Sequence, residues 1–318
     1  MWKVAVTVLI ITVFTQVLLP ILLMFAAGWA LDRKWNVDLA TVVKLNINIF
    51  VPCFIFYELT TKEVVGHTAW KVVAYTIAVV ITLFIIAGLV GKWRRYSLEQ
   101  TRSLQIASVF YNSANYGIPL MHLAFPGPSE ALQVFIVLVQ NIGNFTLGIF
   151  LVSSAKTRGW RTVLPMLRQT SVWAVTIALI VRGLHGRFDP GHFEPAMRWF
   201  WTPISYFHDG LVAVALITLG VQLSKTAARA TLPRLGWALG LRLLVGPLVG
   251  WGMALLFGFQ DELLKTMILG TSFPTAVNTA LIAHEFKADT EYATGAVFWS
   301  TLFSMVTVTA LITLLKAL

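Results

Sequence analysis

The amino-acid sequence predicts an all-α polytopic membrane protein of ten transmembrane helices, on three observations. Of the 318 residues, 57% are hydrophobic and only 12% are charged, with a mean hydropathy of +0.76. A soluble domain carries about 25% charged residues. This chain has too few to cover its surface in water, and lipid removes the need. Ten apolar segments follow one another, most of them near the roughly 20 residues that span a hydrocarbon core. The Lys and Arg residues behind the net charge of +10 gather in the short connections, as topology signals do. No basic stretch interleaved with aromatics points to nucleic acid as a partner.

The first segment, 4–30, is nearly unbroken apolar sequence. It is too long for the h-region of a signal peptide and lacks a small-residue cleavage site, so it is expected to be a span. Asp32-Arg33-Lys34 closes it. The second, 39–59, carries Lys44, Asn46 and Asn48 before Pro52. Lys44 reads either as a lysine snorkelling to the headgroups or as a counter-charge for an anionic substrate. Cys53, the single cysteine, excludes an intrachain disulfide and a cysteine-cluster metal site. No metal and no cofactor is expected. The third segment, 68–91, ends at Lys92-Trp93-Arg94-Arg95, the fourth, 102–124, at Pro126-Gly127-Pro128, and the fifth, 131–155, at Lys156-Thr157-Arg158-Gly159. The sixth, 164–184, precedes Asp189-Pro190-Gly191. His208 and Asp209 open the seventh, 203–223. Asp209 is the candidate for a proton-linked carboxylate; an interfacial or helix N-cap position is the alternative. The eighth, ninth and tenth segments are 233–258, 263–284 and 292–316. His122 and His284 fall at span ends.

Ten spans with a basic connection near 156–168 divide into five and five, residues 1–155 and 156–318. An odd number of spans per half makes the second half enter the membrane in the opposite sense, the inverted repeat of many secondary transporters. With both termini outside the cell (inner) membrane, the inside connections and flanks hold 15 of the 24 Lys and Arg residues, Arg242 among them, against 8 outside. Segments four and nine occupy corresponding places, and each carries a mid-membrane polar cluster around Gly and Pro. These are Tyr111-Asn112-Ser113-Ala114-Asn115-Tyr116-Gly117-Ile118-Pro119 and Gly270-Thr271-Ser272-Phe273-Pro274-Thr275-Ala276-Val277-Asn278-Thr279. Proline breaks the helix, and unpaired backbone groups survive at that depth only where protein or a water-filled cavity satisfies them. Half-helix N-termini and the amides of Asn112, Asn115 and Asn278 suit a carboxylate. The alternative is a kink whose asparagines bond neighbouring helices. Gln140, Asn141 and Asn144 share a face of segment five, as do Ser300 and Ser304 of segment ten, with site-lining and helix packing both open.

No enzyme motif stands out: His284-Glu285 lacks the second histidine of a zinc-protease helix, and no nucleophile elbow or phosphate loop occurs. The chain resembles the auxin efflux carrier family, which includes bacterial malate and malonate permeases and plant auxin carriers. The resemblance rests on Asn112-Ser113-Ala114-Asn115-Tyr116-Gly117-Ile118-Pro119, on Pro274-Thr275-Ala276-Val277-Asn278, on Ser300-Thr301-Leu302-Phe303-Ser304 with Thr307, and on Leu219-Gly220-Val221-Gln222-Leu223. It implies two inverted five-helix repeats, with helices four and nine crossing at Pro119 and Pro274. It also implies elevator-like movement and carriage of organic anions, often outward. Asn112, Asn115 and Asn278 would then line the substrate site, with Ser113, Pro119, Pro274, Thr275, Gln140, Asn144, Ser300 and Ser304 around it. The short connection between segments five and six is of the prokaryotic type. Segments four, five, nine and ten hold no acidic residue, so no sodium site is asserted. The expected partners are a small organic anion and membrane lipid, with a homodimer open as the oligomeric form. A non-transporting receptor for the same anion is the second function class.

Overall fold

In the computed structural model, residues 11–62, 66–148, 151, 169–185, 197–225, 232–285 and 288–318 are described. The connections around Lys156–Arg168 and Asp189-Pro190-Gly191 lie outside them. So do the start of the first segment, the end of the fifth and the start of the sixth, and with these the 155/156 boundary. The described residues are helical apart from short links, and they contain no strand. The helices are α1 Leu19–Trp35, α2 Leu39–Thr61, α3 Gly66–Trp93, α4 Leu98–Val109, α5 Gly117–Ala124, α6 Pro128–Gly143, α7 Thr170–His185, α8 Arg198–Lys225, α9 Leu232–Leu256, α10 Asp261–Gly270, α11 Val277–Glu285 and α12 Thr290–Ala317.

Among the described residues, five helices (α2, α3, α8, α9 and α12) are long and apolar enough to cross a membrane. Ile11–Val17 joined to α1 through a 41° bend would make a sixth. Segments four and nine are each two half-helices. α4 and α5 have 12 and 8 residues, and α10 and α11 have 10 and 9. At 1.5 Å per residue each pair extends about 30 Å, one hydrocarbon thickness.

The outward faces fit lipid. On α3, Ile77, Ile81, Ile85 and Leu89 recur every fourth residue and are exposed, while Val72, Tyr75, Val79, Leu83 and Ala87 on the opposite face are buried. A water-facing helix would carry polar residues on that outer stripe. Trp29, Trp35 and Trp93 sit near helix ends beneath Arg33, Lys34 and Arg94, the pairing of aromatic and basic groups found at membrane interfaces.

The helices pack in two neighbourhoods. α1, α2, α7 and α8 surround one another, and α3, α4, α6 and α9 to α12 gather around the broken segments. α1 meets α8 backbone to backbone: a Cβ at Gly28 would stand 2.1 Å from the Ile217 carbonyl oxygen, and one at Gly220 the same 2.1 Å from that of Phe25. Only glycine fits at both, the small-residue contact by which helices associate in lipid.

Prolines explain three local widenings. π turns at Phe14–Leu18, Asn46–Phe50 and Leu241–Val245 each end two residues before a proline, Pro20, Pro52 or Pro247. A proline lacks the N–H and collides with the carbonyl four residues back; a widened turn absorbs that collision without breaking the helix. A fourth π turn, Asn144–Gly148, follows α6.

Candidate functional site

Each broken segment stops for a local reason. Pro119 has no N–H to give Asn115, so the second half-helix restarts at Gly117 with Pro119 in its first turn, where the missing donor costs nothing. Pro274 in turn biases Phe273 away from helix, and the chain runs open from Ser272 until α11 begins at Val277. The two openings meet and pair as short antiparallel backbone, with Tyr111 opposite Thr275. The Asn112 N–H donates to the Pro274 carbonyl at 2.8 Å, and the Ala276 N–H to that of Phe110 at 3.0 Å. The breaks thus meet in contact and satisfy one another's freed backbone groups.

A second set of side chains braces the junction, Gln140 from the cavity side and the others from behind. The Thr275 N–H donates to Ser300 Oγ at 3.0 Å, and its hydroxyl to the Ala107 carbonyl at 2.7 Å. The Tyr111 N–H donates to Gln140 Oε1 at 3.2 Å, and Gln133 Nε2 to the Ser113 carbonyl at 2.8 Å. The Ser304 and Tyr116 hydroxyls are bonded at 3.0 Å.

On the other side lies a cavity of about 160 Å3. This equals about five waters' share of liquid volume and falls below the roughly 300–1,000 Å3 of drug-sized sites. Three helix starts border it: those of α5 through Asn112–Asn115, α11 through Ala276–Asn278, and α7 through Gln169–Ser171. α6 adds Gln140, Asn141 and its continuation Asn144, and α2 adds Asn48 from its π turn. Among the described residues the lining side chains are all neutral. Two buried polar atoms there have no hydrogen-bond partner among the described residues, Asn112 Nδ2 and Asn144 Oδ1. Asn46 Nδ2 holds Asn115 Oδ1 at 3.0 Å just behind the wall. Helix starts carry partial positive charge, and amides offer donors, so the cavity is chemically suited to a small anion.

Of the residues singled out in the sequence, Asn112, Ser113, Asn115, Gln140, Asn144 and Asn278 line this cavity together. Pro274, Thr275, Ser300 and Ser304 stand behind it, and Pro119 is buried in the first turn of α5. Lys44 and Asp209 do not line it. Lys44 is exposed on α2. Asp209 lies well inside α8, which begins at Arg198, so it is not an N-cap. Its carboxylate contacts His208 Nδ1 at 2.8 Å, and His208 Nε2 contacts the buried Glu58 at 2.9 Å.

Two features escaped the sequence reading. Gln169, Thr170 and Ser171 fall inside the interval assigned to segment six, and only the start of α7 turns them toward the cavity. Arg242, counted among the inside connections and flanks, is fully buried in the middle of α9. The available signal was an arginine alone in an apolar run, just ahead of Gly246-Pro247.

A profile of the "Membrane transport protein" family matches residues 12–161 and again residues 161–312. The chain belongs to this family, the auxin efflux carriers. It is 23% identical, over 92% of its length and 95% of the relative's, to a Methanothermobacter thermautotrophicus protein named "Uncharacterized transporter". It is 22% identical to a Rhizobium meliloti protein named "Putative malonate transporter", over 83% of each chain. The carriers of this family are membrane transporters and not enzymes.

Proposed function

We propose that this protein is a secondary transporter for a small organic anion, a mono- or dicarboxylate of about malonate size, bound where the two broken helices cross. The observation that carries the reading is the neutral cavity on which three helix starts converge, with the unpaired amide donor of Asn112 on its wall. The relative named for malonate supports the substrate class. Asn112, Asn115, Asn278 and Gln140 hold the carboxylates; Ser113 and Asn144 complete the wall; Pro119, Pro274, Thr275, Ser300 and Ser304 fix its shape.

In this reading the chain forms ten transmembrane helices as two inverted five-helix repeats, residues 1–155 and 156–318. The paired family matches and the equivalent places of the two breaks support it. Both termini lie outside the cell membrane: without Arg242 the basic count still stands at 14 against 8. The cycle is elevator-like, with the helices around the crossing sliding past α1, α2, α7 and α8, and the net direction is outward, as it often is in the family. The cavity's position between these two neighbourhoods, lined by α2 and α7 on one side, supports that division.

The test is counterflow in proteoliposomes loaded with unlabelled malate, malonate, succinate or an aromatic acetate, following uptake of the matching labelled acid. Saturable uptake of a small carboxylate is the expected result. Saturable binding without exchange in folded protein would overturn transport in favour of a receptor.

A further inference from the structure

Arg242 is a fully buried cation for which the proposed transport cycle has no role so far. It projects from the π turn of α9 to the crossing, on the face opposite the half-helix starts. Its guanidinium donates from one nitrogen to the Ser108 carbonyl at 2.9 Å, and from another to the Thr271 carbonyl. Ser108 lies in the last turn of α4, and Thr271 caps α10. One side chain thus closes the C-terminal ends of both interrupted half-helices, where carbonyls lack helical partners and partial negative charge collects. Gly246 makes room for it: a Cβ there would stand 2.6 Å from an Arg242 nitrogen.

Arg242 has no ion pair with any carboxylate among the described residues. Its other neighbour is the ring of Tyr111, whose centroid lies 4.7 Å from the guanidinium carbon. Tyr111 also lines the cavity. A permanent positive charge is therefore held one aromatic ring away from a site whose own wall is neutral, in surroundings that screen it poorly.

We infer that Arg242 is the charge-selecting residue of the site: it fixes the crossing and, through the Tyr111 ring, sets how strongly the cavity prefers divalent over monovalent and neutral ligands. It positions and polarises without touching the substrate. The inference rests on the anion reading above and assigns that reading its source of charge.

The test is equilibrium binding to purified protein, by titration calorimetry at pH 7.5, of malonate, monomethyl malonate and malonamide, three ligands of similar shape with two, one and no charges. In Arg242→Gln the Kd should rise on the order of tenfold for each ligand charge, leaving malonamide little changed. Arg242→Lys, which keeps the charge and loses the fork, should retain the wild-type ratio of malonate to monomethyl malonate. A uniform loss across the three ligands in Arg242→Gln would show a purely structural role and overturn the inference. If that variant does not fold, the wild type still decides: equal Kd values for the three ligands overturn it, and a graded preference for charge together with a retained ratio in Arg242→Lys sustains it. Wild-type protein that binds none of the three would overturn the anion reading itself, and this inference with it.

Discussion

Between α4 and α5 the chain leaves helix over residues 110–116, and between α10 and α11 over residues 271–276. The first opening lends the cavity five consecutive residues, Tyr111 to Asn115. The second lends Ala276 and the first turn of α11, with Asn278 its only polar lining side chain among the described residues. The side chain of Thr275, opposite Tyr111 in the crossing, is turned back to the Ala107 carbonyl. Two segments that break in the same manner therefore divide the work. In the proposed site the first contributes most of the side-chain donors and acceptors, whereas the second contributes chiefly its helix start, with Asn278. A site at the junction of two similar halves need not be chemically symmetric.

That asymmetry can be broken by substitution. The largest effect is expected from Asn112→Ala, which removes an unpaired buried amide from the wall. A hydrogen bond to a charged group contributes about 1.5–3 kcal/mol, so initial counterflow rates at low substrate should fall ten- to a hundredfold with folded protein retained. Asn278→Ala should cost less, roughly two- to tenfold, because its side chain is partly exposed and the α11 backbone remains. Equal losses in the two variants would refute the division of labour. Ser300→Ala should act on stability before transport. It strands the Thr275 N–H at a cost of about 1–3 kcal/mol, read as a thermal midpoint lowered by several degrees while the rate per folded molecule stays close to wild type. The smallest effect is expected from Lys44→Gln, with malonate exchange within about twofold of wild type, as for an exposed residue away from the cavity. A tenfold loss there would restore the counter-charge reading of this lysine.

Much of the architecture was legible because lipid imposes so coarse a rule. Every one of the ten apolar segments contains described helix, and the two expected to be broken are broken where Asn112–Pro119 and Pro274 stand. Proline and glycine are local instructions that no packing has to interpret. The site was legible where the same clusters carry it. Which side of the crossing each residue faces was not. Ser300 and Asn144 look alike as polar residues in apolar runs, yet one braces the backbone and the other meets the cavity. Arg242 was misread because a cation in a membrane protein is ordinarily a boundary marker. Only the two carbonyl ends it closes explain how it can be buried.

The crossing itself is fastened by main-chain atoms, through the bonds between Asn112 and Pro274 and between Ala276 and Phe110. Every amino acid except proline brings the same N–H, and all bring the same carbonyl. Pro274 apart, whose ring opens its own segment, the side chains at those positions can therefore change while the main-chain bonds remain. In the proposed carrier, descent can rewrite the lining one side chain at a time and try new substrates while the main-chain junction stays whole. The wall is the part that evolution is free to edit.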